Sequence, residues 1–510
     1  MKMKYILLSL LLGATSLANA QKISPISKAM LNAYTEILKE NPKDYTTLFQ
    51  RAAQYHSLSL YDQALADVVK AIDYTPDKDH DMLNQEYSLL ADICIELKQY
   101  DNALKAVEQA LLQNPESYAN LYKKGNICLY LNKPDDAYRA FSAMQRYKSR
   151  SHEAFFGMAK ASIMMGQTKE AEGLMKEAEQ ADPSNYITYC RLGDLCMDMK
   201  DYDKAAVNYL AAFGIADDTS RPVASLYTLS EIDYPAVSNA LDYAISKSKN
   251  TLPLYFLKGN LAYTSGNFPA AYESFKAVLA NPEGKESSVY TQMAQTCFAL
   301  DHMAEASTNA SIANQKGDLA DALLVMANVD LVQDNPSAAM VNAAKALKIN
   351  PGLADASVTL ALANVAQGNT KGAIDALNEA VIIDPLNAYP LMARAWIHAN
   401  KLNDQKAAVA DYTRVAHMEA SNPRRLMMKA LAQALSGKKI DADATMDKAL
   451  AEYGHLKEMH YEAAVYYAQT GDLEKARSER DKAVGMGYSN AYNLTRNNQM
   501  NLSLAPLRHL

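Results

Sequence analysis

The chain has 510 residues and a formal net charge of −7, and a chain of this length is expected to form several domains or a repeat array rather than one core. Hydrophobic residues make up 49% and charged residues 21%, a composition that excludes global disorder. The acidic balance argues against general nucleic-acid binding, because that requires cations that neutralise phosphates.

The first twenty residues have the features of an export signal. Lys2 and Lys4 precede an apolar run over 5–12, and residues 18–20 (Ala-Asn-Ala) supply the small residues of a cleavage site that would leave Gln21 first. No cysteine lies near this site, and no later run of about 18 apolar residues follows. We therefore predict a bacterial protein that is exported to the periplasm, the cell envelope or the exterior, without a lipid anchor or an integral membrane segment in the mature chain.

A pattern of small residues recurs every 34 positions through most of the chain, as at Gly125, Ala159 and Gly193. A second small residue follows twelve positions later, and proline often ends the unit, as at Pro76 and Pro115. Two antiparallel helices that cross closely need Ala or Gly at the crossing, and proline ends a helix because it lacks the backbone donor. The pattern predicts helical hairpins that start near residues 45, 84, 118, 152, 186, 218, 252, 287, 320, 354, 388, 423 and 457.

These residues closely resemble the tetratricopeptide repeat family over roughly residues 45–486. The resemblance implies an all-α fold, an α-solenoid of about thirteen helix-turn-helix repeats that form a right-handed superhelix with a concave groove. It also implies that stability comes from the stacking of neighbouring hairpins, since one hairpin does not bury its apolar face alone.

Departures from the pattern divide the chain into segments. Pro222 stands where the first helix of one unit should start, so we expect a bend or a short, irregular hairpin there. Residues 77–83 form a short insertion in a linker, and Leu502, Leu504, Leu507 and Leu510 would cover the last hairpin. The predicted segments are a signal peptide over 1–20, an N-terminal capping helix over 21–44, a block of five repeats over 45–217, a degenerate repeat or bend over 218–251, a block of seven repeats over 252–486, and a C-terminal cap over 487–510.

Four of the five cysteines share one repeat position, three residues after the early small residue: Cys94, Cys128, Cys196 and Cys297. The position is apolar in other repeats, which predicts buried, unpaired thiols that act as small hydrophobic side chains. A disulfide between neighbouring repeats is the alternative, but it requires Cα atoms within about 7 Å.

No motif for a catalytic, metal or cofactor site occurs in the chain: HExxH, GxSxG, GxGxxG and the phosphate-binding GxxxxGK[ST] are all missing. Residues 79–81 (Asp-His-Asp) lie in the inserted linker, where a solvated loop is favoured over a cation site. We predict a protein without catalytic residues and without cofactors.

The resemblance implies that the first helix of each hairpin lines the concave groove, with repeat positions 2, 5, 9 and 12 facing inward. Asn or Gln recurs at position 9, where an amide pairs with both the donor and the acceptor of an extended peptide backbone. Alternatively, the aromatic residues pack within the array and the amides only make the groove polar. The candidate groove residues are Phe49, Tyr122, Asn126, Phe156, Lys160, Asp194, Phe256, Asn260, Tyr263, Gln295, Asn328 and Trp396.

The function predicted from these features is that of a non-catalytic scaffold of the bacterial envelope, which binds a protein or peptide partner in the groove. A carbohydrate-binding or hydrolytic protein that uses the same groove is one alternative. A self-associating structural protein is the other, with Trp396 or the open C-terminal face as the contact.

Overall fold

The computed structural model describes residues 24–147, 151–317, 319–418 and 424–486. The predicted signal peptide and C-terminal cap, together with the first residues of the N-terminal cap, lie outside them. The described residues form 27 α-helices and contain no β-strand, which confirms the predicted all-α fold. None of these helices is long and apolar enough to cross a membrane.

The chain divides into two compact units, Met1–Leu229 and Ser230–Leu510, which we call the first and the second unit. In the first unit an opening helix is followed by five hairpins. Its helices are α1 (Pro25–Glu40), α2 (Tyr45–Ser57), α3 (Tyr61–Tyr74), α4 (His80–Glu96), α5 (Tyr100–Gln113), α6 (Tyr118–Tyr130), α7 (Pro134–Tyr147), α8 (His152–Met164), α9 (Thr168–Ala181), α10 (Tyr186–Asp198) and α11 (Tyr202–Ile215).

The boundary between the units falls inside α12 (Ser220–Ile232). The second unit continues with one further helix and then seven hairpins. Its helices are α13 (Tyr234–Lys247), α14 (Leu252–Thr264), α15 (Phe268–Ala280), α16 (Ser287–Ala299), α17 (Met303–Lys316), α18 (Ala320–Val332), α19 (Pro336–Ile349), α20 (Ala354–Ala366), α21 (Thr370–Ile383), α22 (Ala388–Asn400), α23 (Gln405–Met418), α24 (Arg424–Leu435), α25 (Lys439–Tyr453), α26 (Lys457–Thr470) and α27 (Leu473–Gly485).

The turn inside most hairpins contains one residue in the left-handed conformation. Gly166, Gly266, Gly368 and Gly471 adopt it with φ between 73° and 85°, which confirms the turns that the sequence predicts there, because glycine has no Cβ to clash. In seven further turns a side-chain-bearing residue adopts the same conformation. These residues are Ser59, Lys98, Asn132, Lys200, Asp301, Asp334 and Asn403.

Several glycines of the first helices face aromatic rings of the second helices. A Cβ built on Gly125 or on Gly157 would lie 2.5 Å from the Phe141 ring, which is fully buried between α6 and α8. A Cβ built on Gly259 would likewise lie 2.6 Å from the Phe275 ring. At these glycines the missing side chain makes room for a ring, so the close approach there is a contact between the helix backbone and an aromatic ring.

The inserted linker is shorter than predicted. Helix α4 begins at His80, four residues before the predicted start, because the Asp79 side chain accepts a hydrogen bond from the Met82 amide (3.2 Å) and so caps an extra turn. His80 lies in this turn, and its Nδ1 is 2.7 Å from Oε1 of Gln113. The interpretation of residues 79–81 as a solvated loop is wrong, since they begin a helix.

The unit with the irregular sequence has helices of ordinary length. Helices α12 and α13 have 13 and 14 residues, because Pro222 falls in the first turn of α12, where a missing amide removes no helical bond. A single residue, Asp233, connects them and accepts a hydrogen bond from the Ala236 amide (3.1 Å). The expectation of a short, irregular pair is therefore wrong for the helices themselves.

All five cysteines are buried and unpaired, which confirms the prediction for the four that share a repeat position. Burial raises the pKa of Cys94 and of Cys297 to about 12, and that of Cys196 to about 11. A thiol of this kind stays protonated at neutral pH and packs as a small apolar group.

Candidate peptide-binding groove

Three successive first helices of the first unit, α6, α8 and α10, pack side by side and line one open groove. Its volume is about 210 Å³. Side chains spaced three or four residues apart share one face of a helix, so each helix contributes one stripe. The lining residues are Tyr122, Asn126 and Leu129 from α6, Glu153, Phe156, Gly157 and Lys160 from α8, and Arg191, Asp194, Leu195 and Asp198 from α10.

Five of the sequence-predicted residues meet in this groove: Tyr122, Asn126, Phe156, Lys160 and Asp194. Asn126 is half-buried, and its side-chain amide makes no hydrogen bond to any residue that the structure describes. An Asn amide offers two donor hydrogens and an acceptor oxygen. The groove therefore presents an unused hydrogen-bonding group of the kind that pairs with a peptide backbone.

The two cations of the groove have different surroundings. Lys160 Nζ lies 3.4 Å from Oδ2 of Asp198, an exposed pair of small energetic value. The guanidinium of Arg191 lies over the Phe156 ring, 5.6 Å from its centroid. Among the described residues no carboxylate lies within ion-pair distance of Arg191, so its donors are open toward the groove.

The carboxylates of the groove are held by their neighbours. Asp194 accepts a hydrogen bond from the Tyr209 hydroxyl (2.9 Å) and lies 3.4 Å from Arg221. Burial acts to raise the pKa of Glu153, but hydrogen bonds from its own backbone amide, from Ser151 and from Tyr118 outweigh it and hold the pKa below its usual value. A carboxylate with a lowered pKa is a poor general acid near neutral pH, so Glu153 does not suit acid catalysis.

The aromatic side chains of the groove form its walls. Phe156 is buried, and its ring meets His152 edge-on at 6.3 Å. The Tyr122 ring packs edge-on against Phe141 with centroids 6.1 Å apart. Tyr122 and Phe156 therefore agree in part with the alternative that the aromatic residues pack within the array, because each ring contacts another ring of the protein.

Phe49 lies elsewhere in the first unit. It is half-buried on α2 and packs against the small core cluster of Leu38, Leu48 and Ala71. The structure does not bring it to the groove of α6, α8 and α10.

Four predicted groove residues lie on α14 and α16 of the second unit. Phe256 packs edge-on against Phe275 with centroids 6.1 Å apart, and Tyr263 packs in the same way against Phe268 at 5.4 Å. Asn260 and Gln295 are half-buried. Both aromatic rings belong to a hydrophobic core cluster, so in this region they pack within the array.

The two remaining predicted residues, Asn328 and Trp396, pack against other parts of the second unit. Asn328 is only 5% exposed, and its side-chain oxygen already accepts a hydrogen bond from the Thr359 hydroxyl (2.8 Å). Trp396 packs against the cluster around Leu362, and its indole nitrogen is buried. The predicted role of Asn328 as a backbone contact is not favoured, because its side chain is buried and its oxygen already has a partner on a neighbouring helix.

Arg191 and Asp198 line the groove although the repeat positions did not select them. Arg191 is the sixth residue of its hairpin, between two of the positions counted as inward. Its guanidinium reaches the groove over the ring of Phe156 on α8. Considering charged residues one position away from the expected positions would have found it.

The fold and the groove define the protein as an all-α repeat protein with a lined inner face. Residues 87–117 and 186–219 match the family model described as Tetratricopeptide repeat, and these two segments cover the hairpins α4–α5 and α10–α11. In these two segments the chain is similar to tetratricopeptide repeat proteins. Proteins of this family generally bind proteins or peptides and are generally not catalytic.

The chain is similar to parts of several known proteins. It is 26% identical over 176 residues to the TPR repeat-containing protein MJ1428 of Methanocaldococcus jannaschii, covering 34% of this chain and 30% of that protein. It is 24% identical over 213 residues to the Hsp70-Hsp90 organizing protein of Triticum aestivum, covering 35% of this chain and 36% of that protein. The chain thus matches about a third of the length of each of these relatives.

Among solved structures, yeast Tom70 aligns with 92% of this chain and 97% of its own. The sequence identity is 14% and the TM-score 0.39.

Proposed function

We propose that the protein is a non-catalytic binding protein whose groove on α6, α8 and α10 takes an extended segment of a partner protein or peptide. The observation that carries this proposal is the Asn126 amide, which is half-buried in the groove and has no partner among the described residues. A polar group in such a place is stabilised when a ligand supplies its hydrogen bonds.

The charges of the groove favour a ligand of mixed sign. Arg191 offers free donors to a carboxylate or a carbonyl of the ligand, while Asp194 on the same helix and Glu153 on α8 attract cations or backbone amides. The apolar side chains Leu129 and Leu195 lie beside these groups and would contact ligand side chains. The groove therefore suits a peptide better than an ion or a uniformly charged polymer.

The proposal is tested by selecting binders from a random peptide library and measuring the dissociation constant of the best one by calorimetry. Replacing Asn126 by Leu keeps the size and removes the hydrogen bonds, so we expect binding to weaken about tenfold. Asn260→Leu is the matched control, because Asn260 has the same repeat position in the second unit.

Equal losses in both variants, or a loss only with Asn260→Leu, would place the site outside this groove. Selection of no peptide, together with binding of a glycan on an array, would overturn the proposal in favour of the carbohydrate-binding alternative.

We further propose that the protein acts in the bacterial envelope after export by its N-terminal leader. The charged start, the apolar run over 5–12 and the small residues over 18–20 support this. Expression in a bacterium followed by fractionation and N-terminal sequencing tests it, and we expect a mature chain that begins at Gln21. An intact N-terminus in the cytosolic fraction would contradict export.

A further inference from the structure

A second depression lies in the second unit, between α23 and α24. Its volume is about 450 Å³, which is within the range of about 300–1,000 Å³ typical of small-molecule sites. Val409, Thr413 and Ala416 form one stripe on α23, with the spacing of a single helix face. The residues of α24 and of the turn after it form the facing wall.

The depression exists because small side chains stand where the two helices face each other. Ala416 on α23 and Ala432 on α24 leave the space open, and Val409 and Leu426 give it apolar walls. Most of its surface is therefore apolar, and a ligand that fills it must bury an apolar group there.

Three cations border this apolar space: Arg425, Lys429 and Lys438. Among the described residues none of them has an acidic partner, and no Asp or Glu lines the depression; residues 419–423 lie outside the description. The neighbouring cations behave differently, since Arg424 pairs with Glu462 at 2.7 Å and Lys439 with Asp443 at 3.1 Å.

The arrangement is electrostatically unfavourable without an anion. Arg425 and Lys429 are four residues apart on one helix, and like charges at this spacing destabilise a helix. His417 lies on the rim with its Nδ1 2.7 Å from the Thr413 carbonyl oxygen. In a chain with a net charge of −7, such a local excess of positive charge attracts an anion.

We propose that this depression binds a small amphiphilic carboxylate, with the carboxylate between Arg425 and Lys429 and its alkyl tail against Val409, Ala416 and Leu426. The apolar walls account for the tail and the unpaired cations for the headgroup. This site lies in a different unit from the peptide groove and is independent of the function proposed for that groove.

Calorimetric titration of the full chain with decanoate tests the proposal. We expect saturable binding of one decanoate, and no saturable binding of acetate, which lacks the tail, or of decyltrimethylammonium, which has the opposite charge. The double variant Arg425→Gln/Lys429→Gln should weaken binding about tenfold or more, because it removes charge-assisted hydrogen bonds. The matched double variant Lys345→Gln/Lys348→Gln removes two exposed charges of the second unit and should leave the affinity unchanged.

A second variant tests the apolar part separately. Ala416→Leu keeps all cations and fills the space, so it should also weaken decanoate binding, with helicity and unfolding temperature recorded to show that the variant folds. A decanoate analogue with a photoreactive tail should label α23 and α24.

No saturable binding, equal affinity for decyltrimethylammonium, or labelling elsewhere in the chain would each overturn the proposal. So would an acidic peptide that binds through Arg425 and Lys429 while decanoate does not.

Discussion

Glycine residues of the first helices are needed where an aromatic ring of a second helix lies directly against the backbone. Phe141 lies between Gly125 and Gly157, so a methyl group at either position would overlap the ring. By contrast, Gly173 lies on an exposed face of α9 with no atom within 4 Å of the place of a Cβ. Glycine is therefore required for packing at Gly125 and Gly157, whereas at Gly173 it only weakens the helix.

We predict that Gly157→Ala lowers the free energy of unfolding by about 1–3 kcal/mol, since the added methyl overpacks the core. Gly173→Ala should raise it by about 0.5–1 kcal/mol, because Ala favours the helix and adds no clash. Urea unfolding followed by circular dichroism measures both. A stabilised Gly157→Ala variant would show that the Phe141 ring moves freely.

Glu86 is a buried carboxyl group with an incomplete set of partners. It is fully buried, and its Oε1 accepts a hydrogen bond from the Thr75 hydroxyl (2.7 Å), while Oε2 has no partner in the described part of the chain. Burial raises the pKa of Glu86 from 4.5 to about 7; Asp79 adds to the rise and the Thr75 bond opposes it. The folded state therefore holds this proton more tightly than the unfolded state.

The contribution of this group to stability is fully present below pH 4.5 and is lost as the pH rises toward 7 and above. Glu86→Gln should remove this loss and raise the free energy of unfolding at pH 8 by about 1–3 kcal/mol, with little effect at pH 4.5. Urea titrations at the two pH values test this, with the exposed Glu116→Gln as the control. An equal gain at both pH values would show that the effect is not due to ionisation.

At the scale of elements, short polar side chains in the turns cap the starts of some helices. Asp79 adds a turn to α4, and Asp233 both connects α12 to α13 and caps α13. The usual hairpin turn has three residues, as between Ser57 and Tyr61, whereas Asp233 stands alone. It therefore has to supply the cap without help from other turn residues.

Asp233→Ala should lower the free energy of unfolding by about 1 kcal/mol, the usual effect of removing a helix cap, and Asp233→Asn should restore most of it. Chemical denaturation measures the change, and Glu231→Ala, at an exposed neighbouring position, should stay within about 0.5 kcal/mol of the parent. If Asp233→Asn is as destabilised as Asp233→Ala, the stabilisation comes from the carboxylate charge and not from the capping hydrogen bond.

For the molecule as a whole, each hairpin packs mainly on its neighbours in sequence, so stability is expected to be local. Met446 is fully buried in the core cluster of the last hairpins, and Met446→Ala should destabilise that region by about 2–5 kcal/mol. Amide hydrogen exchange should then increase in α22–α27 and stay unchanged in α2–α9. Ile440→Ala, at a side chain that is 86% exposed, is the control, and a uniform increase would show that the whole chain unfolds as one unit.

The sequence by itself determined the fold class and nearly all helix positions. First helices begin within two residues of the predicted starts, apart from α4, because the 34-residue spacing, the small crossing residues and the turn glycines act locally. The shared position of four cysteines likewise predicted their burial without pairing.

Only the tertiary structure decided which inward positions are open. Asn126 and Asn328 have the same repeat position, yet Asn126 faces the groove unpaired while Asn328 accepts a hydrogen bond from Thr359 of the next repeat. Arg191 lines the groove over the ring of Phe156 on the neighbouring repeat, although it stands one position away from the positions counted as inward. The physical reason is that the repeat position of a residue fixes only the direction in which its side chain leaves the helix. Whether that side chain is exposed depends on the side chains of the neighbouring repeats.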